Sequence, residues 1–239
     1  MRDYSEQILT GEGKDDYARY MRTDDLLSLQ RRPEDVVHRD ELLFQVVHQS
    51  TELWLKLACS ELQEATGLIG AGELDAAIEL LRRASFGVEL VTEQLNMMRF
   101  LSPWDFQTMR TILGHGSGAD SPGWRSVQRH GRQLDSALAV LIEERKLDLA
   151  ELYRSGTNSA EHRLVEAMIA WDEQVSLWRV RHFKMMTRII GHDVIGTQGT
   201  PVDVLAKLIE YKFFPTLWRV RTELTDTGPM GKYHLAESV

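Results

Sequence analysis

The sequence LLFQVVHQSTELWLKL, residues 42–57, decides the fold class. Its apolar side chains recur at three- and four-residue intervals, which predicts a long α-helix with a buried face. His48 nevertheless lies on that apolar face, one helical turn after Phe44. A second apolar stretch, SLWRVRHFKMMTRIIG at residues 176–191, places His182 in a similar setting. Two histidines in the two most hydrophobic helices indicate that the apolar faces of these helices enclose a shared site.

The same helical periodicity recurs along the chain, and we find no strand pattern, internal repeat or linker in it. We therefore predict an all-α protein with one helical-bundle domain at residues 16–225. A mobile N-terminal segment is predicted at residues 1–15 and a polar C-terminal tail at residues 226–239. The predicted helices are residues 17–30, 40–68, 74–100, 103–113, 124–144, 148–153, 160–190 and 202–224.

Composition excludes several classes of protein. The chain has 239 residues with 28 basic and 36 acidic side chains, a formal net charge of −8, and no basic stripe of the kind that binds nucleic acid. It has no signal peptide at its start, and no apolar run approaches the roughly 20 residues that span a membrane. Cys59 is the only cysteine, so an internal disulfide is impossible, and a cytoplasmic location is predicted.

His48 allows two interpretations. Alone on an apolar helix face, a histidine is usually a core residue that is hydrogen-bonded to a backbone carbonyl. The alternative is an imidazole that faces an apolar pocket, with Phe44 as a wall for a flat ligand.

His182 allows two interpretations as well. Trp178, Met185 and Met186 share its helical face, and large soft side chains around an imidazole are what an axial heme ligand needs. A buried structural histidine has the same surroundings. The chain has no CxxCH motif, so covalent heme attachment is excluded.

Arg110 shares one face of a short predicted helix with Phe106 and Met109. A guanidinium cannot lose its proton and is costly to bury unpaired, so it needs an anion. That anion is either an internal carboxylate or the carboxylate of a substrate, which the planar guanidinium can bind through two hydrogen bonds.

Two glycine-rich loops, GHGSGADSPG and GHDVIGTQGTP, each follow a helix that carries one of these polar groups. They contribute the hydroxyls of Ser117 and Thr200, but neither has the spacing of a nucleotide-binding loop. The GHGSG sequence follows a helix rather than a strand, which excludes the nucleophile elbow of a serine hydrolase. The remaining histidines show no HExxH or ExxH spacing, so a zinc or di-iron site is unsupported.

Several sequence blocks together resemble the tryptophan 2,3-dioxygenase family of heme-dependent aromatic oxygenases. The blocks are YARYMRTDDLLSLQ, LLFQVVHQSTELWLKL, SPWDFQTMR, LWRVRHFKMMTRIIG, GTQGT and FFPTLWRVRTEL, in the family's order. The resemblance spans residues 16–224. It implies an all-helical fold with heme b between helices, O2 as co-substrate, and a homo-oligomer, a tetramer or a dimer.

The resemblance also implies a role for individual residues. His182 falls on the histidine that binds the heme iron, and His48 on the one that hydrogen-bonds the indole N–H. Phe44 falls on the wall of the indole pocket, Arg110 on the partner of the amino-acid carboxylate, and Thr200 on a loop residue that holds the ammonium. The side chains of Tyr17, Tyr20 and Met21 fall on a helix that a neighbouring subunit contributes to the pocket.

The chain departs from the family pattern near the substrate. Phe106 occupies a position where some members have a tyrosine that touches the substrate carboxylate. The family typically has SGFQS where this chain has SGADSPG, which introduces Ala119, Asp120 and Pro122. The chain is also short and lacks insertions that many members carry. These changes bear on substrate and reaction outcome more than on the fold.

The resemblance therefore implies an oxygenase that acts on the indole ring of L-tryptophan or a modified tryptophan. Ring-cleaving dioxygenation to N-formylkynurenine is the default outcome. The first alternative is a monooxygenase that hydroxylates a tryptophan derivative or a related aromatic amino acid. The second, from a different class, is a non-catalytic protein that binds heme or the amino acid.

Overall fold

The computed structural model describes residues 6–196, 198–199, 201–202 and 204–231, and these residues form one all-α domain without a named strand. The predicted fold class is confirmed. None of the described helices is long and apolar enough to cross a membrane. The helices are α1 Asp16–Met21, α2 Thr23–Ser28, α3 Glu41–Ala71, α4 Leu74–Gln94, α5 Pro103–Leu113, α6 Pro122–Arg145, α7 Leu149–Arg154, α8 Ala160–Ile190, α9 Val204–Ile209 and α10 Pro215–Thr227, with 3₁₀ turns at Pro33–Asp35, Leu95–Phe100 and Gly118–Asp120.

Helix α5 begins as its sequence predicts. The Ser102 hydroxyl oxygen accepts a hydrogen bond from the Asp105 backbone N–H at 3.1 Å, and Pro103 occupies the first turn. The helix ends at Gly114, whose φ of 57° lies in the region that favours glycine. Local chemistry therefore fixes both ends of the helix that carries Phe106 and Arg110.

Three predicted helices are interrupted in the structure. The helix predicted at residues 17–30 is divided at Arg22, which adopts a left-handed conformation with φ 51° between α1 and α2. The helix predicted at residues 202–224 is divided before Pro215, because proline lacks an N–H and disfavours helical backbone at Phe214. The helix predicted at residues 74–100 changes to a 3₁₀ turn after α4 ends.

A large core holds α3, α4, α6 and α8 together, and α10 closes one end of it. Asp172 on α8 is fully buried, and its carboxylate accepts hydrogen bonds from the Phe213 N–H at 2.9 Å and the Trp218 indole N–H at 2.8 Å. Gly131 on α6 allows Phe213 to pack closely, because a Cβ there would lie 2.3 Å from the phenylalanine ring. These contacts fix the direction in which α8 runs.

A smaller apolar cluster lies where the start of α3, the end of α8 and α5 meet. It contains three of the predicted site residues, Phe44, Phe106 and Met185. Its buried members are Val47, Met98, Leu101, Phe106, Met109 and Ile189, with Leu43, Phe44, Leu113, Met185 and Ile190 packed against them.

Candidate active site

His48 and His182 lie on different helices and are brought close together beside the smaller cluster. The charge of His48 acts on His182 and, with burial as the larger cause, lowers the pKa of His182 to about 4. The imidazole of His182 is therefore neutral at physiological pH, which is the form that can bind a metal ion. Two helical stretches that are distant in the sequence thus bring their histidines within electrostatic reach of each other, and their role in a shared site remains a prediction.

The ring of His48 is held in one orientation by its own helix. Its Nδ1 lies 2.7 Å from the Phe44 carbonyl oxygen, and the Phe44 ring stacks on it at 4.1 Å between centroids. A carbonyl can only accept a hydrogen bond, so Nδ1 carries the proton and Nε2 of the neutral ring keeps a free lone pair. The ring is exposed to solvent, yet neighbouring atoms crowd it enough that burial lowers its pKa.

Phe44 and Phe106 form an apolar pair of rings beside His48. Their ring centroids are 6.0 Å apart with a tilt of 35°, and Phe106 is buried in the smaller cluster. The Phe44 carbonyl satisfies His48, as the structural interpretation of that histidine requires. The same contact leaves Nε2 available, so the two interpretations of His48 are compatible.

His182 is flanked by a ladder of aromatic rings. Trp178, one turn earlier on α8, stacks on it with a centroid distance of 4.8 Å and an interplanar angle of 8°. Trp124 at the start of α6 contacts Trp178 with centroids 3.7 Å apart. Met185 packs on the smaller cluster, whereas Met186 is half-buried outside it.

Arg110 has no carboxylate partner among the described residues. Its closest polar contact is the Gln107 side-chain oxygen, 3.4 Å from Nη1, and the side chain is half-buried at the end of α5. The internal salt bridge that the sequence allowed is therefore absent from the described part of the chain. A guanidinium in this state is available to an external anion.

The glycine-rich loop before α6 is ordered by its own polar groups. Ser117 caps the short 3₁₀ turn, and its backbone N–H donates to the Asp120 carboxylate at 3.2 Å. The same carboxylate pairs with Arg125 at 2.9 Å and accepts a hydrogen bond from Gln198 at 2.6 Å. Asp120, one of the departures from the family pattern, therefore joins this loop to the loop after α8. Thr200 in that second loop lies outside the described residues.

The residues predicted to reach a neighbouring subunit lie on α1 and not in this chain's own cleft. Tyr17, Tyr20 and Met21 are 67%, 78% and 51% exposed. The helix buries only Ala18, so it presents three large apolar side chains without a cover in the described part of the chain. This placement fits the predicted role, which remains a prediction.

Two residues that sequence analysis did not single out contribute to the site. The Glu52 carboxylate, one turn after His48, accepts hydrogen bonds from the Ser121 hydroxyl at 2.5 Å and the Gly123 N–H at 2.8 Å. Trp124 follows directly and supplies the outer ring of the ladder. Glu52 approaches Gly123 so closely that a Cβ at this position would lie 2.6 Å from the carboxylate, which explains why a glycine is needed here.

Known proteins share much of this sequence. The family model of tryptophan 2,3-dioxygenase matches residues 5–137, more than half of the chain. The chain belongs to the tryptophan 2,3-dioxygenase family. It is therefore an oxidoreductase. The matched region includes His48, Phe106 and Arg110, whereas His182 lies beyond it.

Full-length relatives extend the similarity to the second histidine. A tryptophan 2,3-dioxygenase of Myxococcus xanthus is 29% identical over 281 aligned positions, which cover 95% of this chain and 96% of the relative. Those of Kineococcus radiotolerans and Bacillus thuringiensis strain Al Hakam are 30% and 29% identical and align with 87% of this chain. The first alignment has more positions than the 239 residues of this chain, so that relative carries segments that this chain lacks.

Proposed function

We propose that this chain is a heme-dependent oxygenase that uses O2 to oxidise the indole ring of L-tryptophan or a modified tryptophan, with C2–C3 ring cleavage to N-formylkynurenine as the default outcome. The observation that carries the proposal is the pair of histidines on α3 and α8 that are near enough to interact electrostatically, beside an apolar cluster whose helix α5 carries an arginine without a carboxylate partner among the described residues. Family membership gives this arrangement its chemical interpretation.

The residues around His182 fit a heme b group. The imidazole is held neutral, and none of the described residues forms a hydrogen bond with it, so its nitrogens are free to bind iron. Trp178, Met185 and Met186 supply the large apolar surfaces that a porphyrin needs. A heme bound there supplies the iron that binds and activates O2.

The substrate side of the cleft offers one group for each part of an amino acid with an indole ring. Arg110 provides a charged fork for the carboxylate, and the rings of Phe44 and Phe106 provide a flat apolar wall. The free Nε2 of His48 accepts a hydrogen bond, so it can hold the indole N–H. His48 therefore orients the substrate and need not act as a strong base. We assign Ser117 to substrate binding, and Thr200, which lies outside the described residues, to holding the ammonium.

The assembly that we propose is a cytoplasmic homo-oligomer, a tetramer or a dimer. Its support is the exposed apolar face of α1, whose Tyr17, Tyr20 and Met21 would be covered by the pocket of a neighbouring copy. Light scattering of the heme-loaded protein tests the assembly, and a monomer at all concentrations would contradict it.

Turnover with isotopically labelled O2 tests the reaction. Reduced, heme-loaded protein is mixed with L-tryptophan, and the product mass is measured. Two labelled oxygen atoms in a ring-opened product are expected for the dioxygenase. Binding of the amino acid without O2 consumption would contradict an enzymatic role and favour a non-catalytic binding protein.

A monooxygenase that acts on a tryptophan derivative or a related aromatic amino acid is the second candidate. The observation that favours it is the altered loop, in which Asp120 joins Gln198 and Arg125 and so fixes how the two loops meet. One labelled oxygen atom in a product with an intact ring would establish this alternative. N-formylkynurenine as the sole product would remove it.

A further inference from the structure

We propose that Trp178, held in place by Trp124, is a positioning residue that fixes the plane of the His182 imidazole. The proposal rests on the proposed function, because it concerns how His182 presents its nitrogen to a heme iron. In this proposal an aromatic stack orients the imidazole. Most metal-binding histidines are instead oriented by a hydrogen bond.

The geometry of the stack restricts rotation of the imidazole. The planes of Trp178 and His182 differ by only 8° and their centroids are 4.8 Å apart, so the rings lie face to face along α8. A turn of the imidazole about its χ2 bond would tilt it out of the parallel contact and lose part of the attraction between the rings. The stack therefore selects one plane for His182.

No hydrogen bond performs this task within the described part of the chain. A histidine that binds a metal through one nitrogen usually donates its other N–H to a carboxylate, a carbonyl or water, and that partner sets the ring orientation. None of the described residues forms such a bond with His182, whereas His48 is held by the Phe44 carbonyl. The two histidines are thus oriented by different means.

Trp124 keeps Trp178 from moving away. The Trp124 ring approaches Trp178 from α6, with ring centroids 3.7 Å apart and a tilt of 32°. Its own position is fixed because its backbone N–H donates to the Ser121 hydroxyl at 3.1 Å. Ser121 is in turn bound by Glu52 on α3, so the ladder is tied to the helix that carries His48.

The stack uses the ring faces of Trp178 and not its N–H. The indole nitrogen is buried and has no hydrogen-bond partner, in contrast to that of Trp218, which donates to Asp172. A phenylalanine should therefore replace much of the function of Trp178, whereas a leucine of similar apolar character should not. This difference separates a positioning role from simple filling of space.

The first part of the test uses heme-free protein. The wild type is compared with Trp178→Leu, Trp178→Phe and Trp124→Leu, and with Leu138→Ala as a control for lost stability. Leu138 is buried in the large core on α6, about 20 Å along that helix from Trp124. The near-ultraviolet circular dichroism of the tryptophan pair should be lost in all three ladder variants and kept in the control. A signal that survives Trp124→Leu would show that the pair is not stacked in solution and overturn the proposal.

The second part uses heme-loaded protein and reads the ligand bond directly. Trp178→Leu should raise the heme dissociation constant about tenfold, as substitutions beside a metal ligand do, and broaden the iron–histidine stretching band of the reduced protein in resonance Raman spectra. Trp178→Phe should restore a narrow band, and Leu138→Ala should leave it unchanged.

Three outcomes would overturn the proposal in distinguishable ways. A Trp178→Leu protein with wild-type affinity and band width would remove the positioning role while leaving the proposed function intact. Equal broadening in Leu138→Ala would reduce the effect to stability. A wild-type chain that takes up no heme would overturn the proposed function together with this inference.

Discussion

The two halves of α8 differ in what their polar side chains do. In the first half, Asp172 is fully buried and its carboxylate accepts three hydrogen bonds from the segment that begins α10. In the second half, His182 and the neighbouring Arg110 have no strong polar partner in the described part of the chain. The same helix thus carries a buried carboxylate that is hydrogen-bonded and an imidazole that has no hydrogen bond within the described residues.

Other contacts extend the contrast. Glu166 lies in the first half of α8, and its carboxylate accepts hydrogen bonds from the Tyr153 hydroxyl and the Arg221 guanidinium, both at 2.5 Å. Beside the second half, the free lone pair of His48 faces the cleft. Glu166 thereby holds α7, α8 and α10 together, whereas the Nε2 of His48 and the guanidinium of Arg110 are available to a ligand. The difference locates the function more directly than any single residue.

Asp172→Ala should give the largest loss of stability, because it leaves two backbone N–H groups and one indole N–H without an acceptor. We expect the free energy of unfolding to fall by about 3 kcal/mol or more. Denaturant unfolding measures the change. Heme uptake per folded molecule should stay unchanged, and a small loss of stability with a large loss of heme uptake would contradict the contrast.

Arg110→Leu should have the opposite profile. Loss of a charge-assisted pair with the substrate carboxylate, about 2–3 kcal/mol, should raise KM roughly 30- to 150-fold. Stability should change by less than about 0.5 kcal/mol, because no ion pair within the described residues is broken. Arg110→Lys keeps the charge but loses the planar fork of the guanidinium, so its KM should lie between those of the wild type and Arg110→Leu. An unchanged KM would assign Arg110 a structural role.

His48→Ala should keep heme and slow turnover moderately. One hydrogen bond to the indole N–H contributes about 1–1.5 kcal/mol, which corresponds to a decrease in kcat of roughly 5- to 10-fold. Steady-state kinetics and the absorption spectrum of the same preparation give both values. Loss of heme from this variant would mean that the roles of the two histidines are exchanged.

Tyr153→Phe should lower the stability of the paired region at neutral pH and remove its dependence on pH between about 10 and 12. Burial, together with the hydrogen bond to Glu166, raises the pKa of Tyr153 from 10.0 to about 12. The unfolded chain loses this proton first, so the stability from this group is complete below pH 10 and is lost as the pH rises to about 12. The wild type should therefore lose stability more steeply than the variant in that interval. Parallel unfolding curves would contradict the assignment.

The sequence was sufficient for the longest helices, whereas its assignment of the site residues remains a prediction. Periodicity predicted α3 and α8, and capping chemistry predicted the start of α5 at Ser102 and Pro103. Pro215 interrupts the last predicted helix by a local rule that was visible in the sequence, whereas the left-handed backbone of Arg22 has no comparable signal.

Contacts between helices could not be predicted from a single sequence. The Trp124–Trp178 stack and the Glu52–Gly123 hydrogen bond join residues whose proximity depends on how helices cross. Whether Arg110 had an internal partner could not be decided either, because every nearby Asp or Glu was a candidate until the packing was known. Function was predicted from residue identity, whereas support for the site required geometry.

Heme binding by matched variants tests the central claim most directly. Ferric heme is titrated into the wild type, His48→Ala and His182→Ala, and retention is measured by absorption after gel filtration. We predict that the wild type and His48→Ala each retain one heme per chain with a histidine-ligated spectrum, and that His182→Ala retains none. A His182→Ala protein that keeps the wild-type spectrum would show that the available imidazole of α8 is not the ligand and would contradict the proposed role of this region.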